Sequence, residues 1–193
     1  DLSGADCARI FGQSSEDEIV GELMELFADA LNNLGEYVSE QFGGSFPNLV
    51  NAAEKSCEKL AEILARMPFF ADVQSYNGYD VYFFKRAQLT CADLALAYNG
   101  KSFGDFHDLD RLTIFADNLV PHVLRMDGIL TYLPHLVQKI DAGKLISRGS
   151  REEIEIRACA LHAVELLKGA LLESGEKITS MGLDYLLWNR GQG

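Results

Sequence analysis

Positive charge is what this chain has little of. Its 193 residues carry 17 Lys and Arg against 29 Asp and Glu, a formal net charge of −12. A protein that grips DNA or RNA needs a basic stripe to displace the counterions of the phosphate backbone, so direct tRNA or DNA binding is not expected. A small anionic ligand is compatible with this balance, because a few placed cations hold one phosphate. Cysteine is sparse too. Cys7, Cys57, Cys91 and Cys159 lie far apart with no C-x-x-C pair. Cys57, Cys91 and Cys159 fall on apolar helical positions, where buried thiols are expected. His107, His122, His135 and His162 lack H-x-x-x-H or H-E-x-x-H spacing, so no metal site is expected. No run approaches the roughly 18 apolar residues that span a bilayer, and no signal-peptide pattern stands at the start. A cytoplasmic setting with no membrane partner is the expectation. The first residue, Asp1, fits either a processed start or a piece of a longer polypeptide.

What the chain does have is apolar residues, 48% of the total, enough for one sizeable core and one domain over 1–193. Most of them recur at helical spacing. Ser15-Glu16-Asp17-Glu18 reads as a capping box ahead of Ile19, Leu23, Leu26, Leu34 and Val38, predicting a helix to about Phe42 that stops at Gly43-Gly44. Pro47 suits the first turn of the next helix, with Leu49, Ala53, Cys57, Leu60 and Leu64 as its stripe and Pro68 as its end. The strand signal is confined to Val73–Tyr76 and Tyr79–Phe83, flanking the hairpin dipeptide Asn77-Gly78. A helix from about Phe84 to Tyr98 follows, closed by Asn99-Gly100. Asp108 is a plausible cap for a short helix over Leu109–Ala116. Pro121 opens another helix, and Pro134 a third near Leu133 to Ala142. Ser150-Arg151-Glu152-Glu153 is a second capping box, starting a long helix with Ile154, Ala158, Leu161, Val164 and Leu171. A last helix spans about Thr179 to Trp188. The fold class is mostly α, with one β-hairpin.

Few residues carry a chemical signal. Asp117 sits in Leu112-Thr113-Ile114-Phe115-Ala116-Asp117-Asn118-Leu119, one carboxylate in an otherwise apolar run. It reads either as a cap for the Pro121 helix or as a carboxylate beneath a developing positive charge, as in glycosidic cleavage through an oxocarbenium-like transition state. Lys85 follows the aromatic stretch Tyr82-Phe83-Phe84 and is either a snorkelling surface lysine or a partner for a buried carboxylate or a phosphate. Near the end, Asp184 and Trp188 are one turn apart, as are Tyr185 and Asn189. That pattern suits a flat heterocycle with N–H donors, or a terminal helix docking Tyr185 and Trp188 into the core. Glu153, Glu155 and Arg157 read as a solvated face with local ion pairs. Gly43-Gly44-Ser45 is either an anion-binding nest or a simple break between helices.

Five short motifs occur in order: Phe42-Gly43-Gly44-Ser45-Phe46, Phe84-Lys85-Arg86-Ala87-Gln88, Thr113-Ile114-Phe115-Ala116-Asp117, Glu153-Ile154-Glu155-Ile156-Arg157 and Leu183-Asp184-Tyr185-Leu186-Leu187-Trp188. With them the chain resembles the queuosine salvage protein family, the queuosine 5′-monophosphate N-glycosylases, over roughly Gln41 to Asn189. The resemblance implies a helical fold distantly akin to DNA glycosylases. It also implies hydrolysis of the bond joining queuine, a 7-deazaguanine base, to ribose 5-phosphate, so that queuine is reused in tRNA modification. By the same resemblance Asp117 is the catalytic carboxylate and Lys85 belongs to the active-site region. Phe115 packs against the base, and Asp184 and Tyr185 hold it. No cofactor is implied. The chain departs from the family in two places. Asn189 stands where many relatives have an acidic residue, so one contact to the ligand is expected to be neutral. Nothing before Asp1 matches the family's N-terminal portion, so the chain is expected to be the C-terminal part of a longer family-typical protein. The competing readings are a glycosylase for another modified nucleoside or DNA, and a non-catalytic module that binds queuine or a protein partner.

Overall fold

A computed structural model describes residues 1–14 and 17–192 of the chain. Helices dominate: α1 (Gly4–Phe11), α2 (Glu18–Phe42), α3 (Phe46–Ala52) and α4 (Cys57–Leu64) precede a hairpin of β1 (Val73–Tyr76) and β2 (Tyr79–Tyr82). Then come α5 (Lys85–Ala97), α6 (Leu119–Met126), α7 (Pro134–Asp141), α8 (Arg151–Glu173) and α9 (Ser180–Gly191), with 3-10 turns at Ser102–Gly104 and Leu109–Arg111. The hairpin pairs Val73 with Tyr82 and Tyr76 with Tyr79. Asn77 and Gly78 both take positive φ (51° and 84°), the geometry that joins two strands through a two-residue loop without splaying them.

Local chemistry explains most boundaries. Asp17 caps α2 by accepting from the Ile19 and Val20 N–H groups; the proposed box residues Ser15 and Glu16 lie outside the described residues. At the other end the Gly43 and Gly44 N–H groups both return to the Val38 carbonyl. Those donors are therefore occupied in closing the helix, as the break reading had it, and do not form an anion nest. Ser150 caps α8 by accepting from the Glu153 N–H, while the Glu153 carboxylate reaches the Gly149 N–H rather than that of Ser150.

Several expectations need correction. The stripe Leu49, Ala53, Cys57, Leu60 and Leu64 is buried throughout, but it belongs to two helices. Glu54 and Lys55 take positive φ (51° and 63°), so the chain breaks there and α4 restarts behind Ser56. Second, Asp108 caps α4 instead of the segment it precedes. Its carboxylate accepts from the Ser56 hydroxyl (2.7 Å) and the Cys57 N–H (2.6 Å). Third, Ile19, Leu23 and Leu26 are exposed, while Met24 and Ala28 pack with Cys7 and Ala8 of α1. Fourth, Cys159 is exposed on α8, whereas Cys7, Cys57 and Cys91 are buried.

Two buried clusters make the main body. One joins Val38, Leu49, Leu60, Leu64, Ala87 and Cys91; the other joins Phe83, Val120, Leu124, Ile154, Val164 and Leu187. Between them runs the segment 112–117, which is not the helix its apolar run suggested. Leu112 and Phe115 enter the first cluster, and Ile114 and Ala116 the second. A segment buried on both sides carries apolar residues all round, so its composition imitates a buried helix. α9 then lies on α6, so close that a Cβ on Gly191 would sit 2.7 Å from the Leu119 side chain.

Candidate active site

A buried extended segment must have its backbone groups paired by something. Around 112–117 side chains do this. The Thr113 N–H donates to Gln88 Oε1 (2.9 Å), and the Phe115 N–H donates to Asp184 Oδ1 (2.9 Å). The Ala116 carbonyl accepts from Arg157 Nε (2.9 Å). The segment is thereby held against α5, α9 and α8, and it delivers Asp117 to its end.

Asp117 takes the first of its sequence readings, the cap. Its Oδ1 accepts from the Leu119 N–H (2.8 Å) and the Val120 N–H (3.2 Å), capping α6. Its Oδ2 faces Lys85 Nζ at 3.6 Å. Lys85 is the first residue of α5, placed there by a turn in which Phe84 takes φ 47°. The two side chains share the wall of a cavity of about 520 Å³ with Asp72, Ala116, Arg148 and Arg157. That volume suits a small organic ligand.

Arg157 is a residue that the charge pattern misplaced. It is 7% exposed rather than part of a solvated face, and it donates to both Asp72 oxygens as well as to the Glu153 carboxylate. Its guanidinium stacks on the Phe83 ring, 3.9 Å from the centroid. Asp72, which no sequence signal singled out, also accepts the Lys85 N–H (3.2 Å). Burial pushes the Asp72 carboxyl up, but the hydrogen bonds and charge of Arg157, the Lys85 N–H and the charge of Arg148 outweigh it, leaving the pKa below the usual range.

The base-binding candidates stand apart from the cavity wall. Asp184 is 4% exposed. Burial, reinforced by the Asp117 charge, pushes its pKa up to about 6 against the Phe115 N–H and Lys85. Phe115 is buried in the first cluster, its ring edge-on to Tyr185 with centroids 6.1 Å apart. The Tyr185 hydroxyl is buried without a hydrogen-bond partner among the described residues. Asn189 is exposed on the last turn of α9, as is Trp188, so neither docks into the core. The structure thus brings Lys85, Asp117 and Asp184 into one electrostatic neighbourhood, with Phe115 and Tyr185 packed behind it and Asn189 outside. Among the described residues no group of His, Cys, Asp and Glu is arranged to hold a metal, and no helix is long and apolar enough to cross a membrane.

The family model described as queuosine salvage protein matches residues 1–193. The chain belongs to the queuosine salvage protein family. It is 38% identical over 193 residues to a Sphaerobacter thermophilus protein named queuosine 5′-phosphate N-glycosylase/hydrolase, covering 100% of this chain and 58% of that relative. A Bos taurus protein of the same name is 38% identical over 184 residues, covering 91% and 54%. One from Schizosaccharomyces pombe is 28% identical over 183 residues, covering 94% and 52%. The chain therefore spans little more than half the length of these queuosine salvage relatives.

Proposed function

We propose that this protein hydrolyses the N-glycosidic bond of queuosine 5′-monophosphate, releasing queuine for reuse in tRNA modification. The observation that carries the reading is the Lys85–Asp117 pair on the cavity wall (3.6 Å) in a chain of the queuosine salvage family. Water adds to the anomeric carbon, the bond to the base breaks, and the products are queuine and ribose 5-phosphate. As the base leaves, positive charge develops on the sugar. Asp117 lines the cavity with Oδ1 fixed by two N–H groups, a carboxylate held in place to stabilise that charge. Lys85 sets the other side of the carboxylate.

The family resemblance gives Asp184 the guanine-like N–H edge of the base, which an ionised carboxylate can accept through two hydrogen bonds; here its side chain is buried behind the cavity wall, with Oδ1 accepting the Phe115 N–H. Phe115 and Tyr185 back that contact. The substrate is a free nucleotide in the cytoplasm rather than tRNA or DNA, in keeping with the net charge of −12.

The test is incubation of the protein with queuosine 5′-monophosphate, followed by chromatography of the released base. Asp117→Asn retains an oxygen that can cap α6, so it should fold normally and lose about 10³-fold or more in rate. Full activity in that variant sinks the reading. Tight queuine binding with no turnover by the unmodified protein would favour the non-catalytic module instead.

A further inference from the structure

Lys85 and Asp117 arrive from different parts of the chain, one at the start of α5 and the other at the end of an extended segment. One guanidinium is tied to both. Arg157 Nε donates to the carbonyl of Ala116, the residue before Asp117, at 2.9 Å. Its two terminal nitrogens grip Asp72, Nη1 donating to Oδ1 at 3.0 Å and Nη2 to Oδ2. Asp72 Oδ2 in turn accepts the backbone N–H of Lys85 itself at 3.2 Å. We propose that Arg157 is the positioning residue of the site, setting the separation of Lys85 and Asp117 through Asp72 on one side and the Ala116 carbonyl on the other.

The chemistry of the link calls for arginine. A planar fork can donate in three directions at fixed angles, whereas a lysine ammonium is a flexible point charge. The plane is held by the Phe83 ring beneath it and by the Glu153 carboxylate, which accepts from Nη1 at 3.1 Å. The charge is compensated by Asp72 and Glu153, each about as buried as a paired carboxylate must be (13% and 21% exposed). Arg157 thus reaches the reacting groups only through others. A small shift in the relative placement of two catalytic groups is costly to the rate, about 100-fold for an ångström.

The activity readout rests on the glycosylase reading; the distance readout does not. Arg157→Lys and Asp72→Asn are made singly and in combination with Lys85→Met, and kcat and KM are measured on queuosine 5′-monophosphate. Each single variant should lose about 100-fold in kcat with a much smaller change in KM. In combination, each should add little to the loss from Lys85→Met alone, because all act through one pair. Losses that multiply, or a kcat near that of the unmodified protein, overturn the proposal. Crystal structures of the two single variants read the same role without turnover. A Lys85–Asp117 separation widened beyond ion-pair reach supports it, and an unchanged 3.6 Å overturns it. Asp72→Asn preserves side-chain shape and decides the matter if Arg157→Lys fails to fold. If the unmodified protein releases no queuine, the glycosylase reading falls and the separation alone decides the positioning role.

Discussion

Lys85 Nζ stands 3.6 Å from Asp117 Oδ2, yet the two side chains differ threefold in exposure, 34% against 11%. The carboxylate is held in the wall by the α6 N–H groups, and the lysine reaches it from the solvent side. An ion pair with one partner this exposed contributes at most about 1 kcal/mol to folding. A contribution that small does not explain why a lysine is kept against the cavity.

Lys85→Met should therefore separate stability from function. Its melting temperature should stay within about 5 °C of the unmodified protein, while kcat for base release falls about 100-fold. Parallel calorimetric melts and single-turnover assays measure the two effects. A large drop in melting temperature with kcat intact would make Lys85 a structural lysine.

Asp184 predicts a pH dependence of stability. Its folded pKa is raised to about 6 from 3.8, so between these values the folded state binds more protons than the unfolded one. Stability from this group is then full below about pH 4, declines as pH rises toward 6, and is lowest above that. The decline is about 3 kcal/mol at most. Asp184→Asn mimics the neutral acid and should remove it. Urea unfolding at pH 4.5 and pH 7.5 should show the variant gaining more on the unmodified protein at the higher pH; an equal difference at both would refute the raised pKa.

The Tyr185 hydroxyl is buried without a partner among the described residues, a cost of about 1 kcal/mol or more. Tyr185→Phe should raise stability by about that amount. If the hydroxyl contacts the base, the same change should weaken queuine binding, read by titration calorimetry. A variant both less stable and unaltered in binding would contradict a buried, unbonded hydroxyl at this position.

Cys159 is exposed and Cys7, Cys57 and Cys91 are buried. A thiol reagent should therefore modify one cysteine rapidly in the native protein and the rest only after denaturation, with Cys159→Ser abolishing the fast phase. Mass spectrometry counts the adducts.

Much of the architecture was legible in residues alone, wherever a feature depends on neighbours a few positions away. The hairpin at Asn77-Gly78, the arrest of α2 at Gly43-Gly44, and the helices behind Phe84 and Ser150 all arise from local dihedral preferences and caps. Lys85 faces a carboxylate, one of the uses its sequence position left open, and the fold makes that carboxylate Asp117. Family motifs, not periodicity, supplied the base and the reaction of the proposed function.

What a sequence pattern determines is the state of a segment judged by its own contacts. The stretch from Leu112 to Ala116 was misread because burial on two opposite sides makes an extended chain as uniformly apolar as a core helix. Its conformation was decided by two separate clusters and by side chains from distant helices. Gln88, Asp184 and Arg157 pair its backbone from 25, 69 and 41 residues away. The same physics removed Arg157 from the solvated face its neighbours suggested and gave Asp72 a role with no local signal. A buried charge is stable only where its partners converge, and that convergence exists only once the chain has folded.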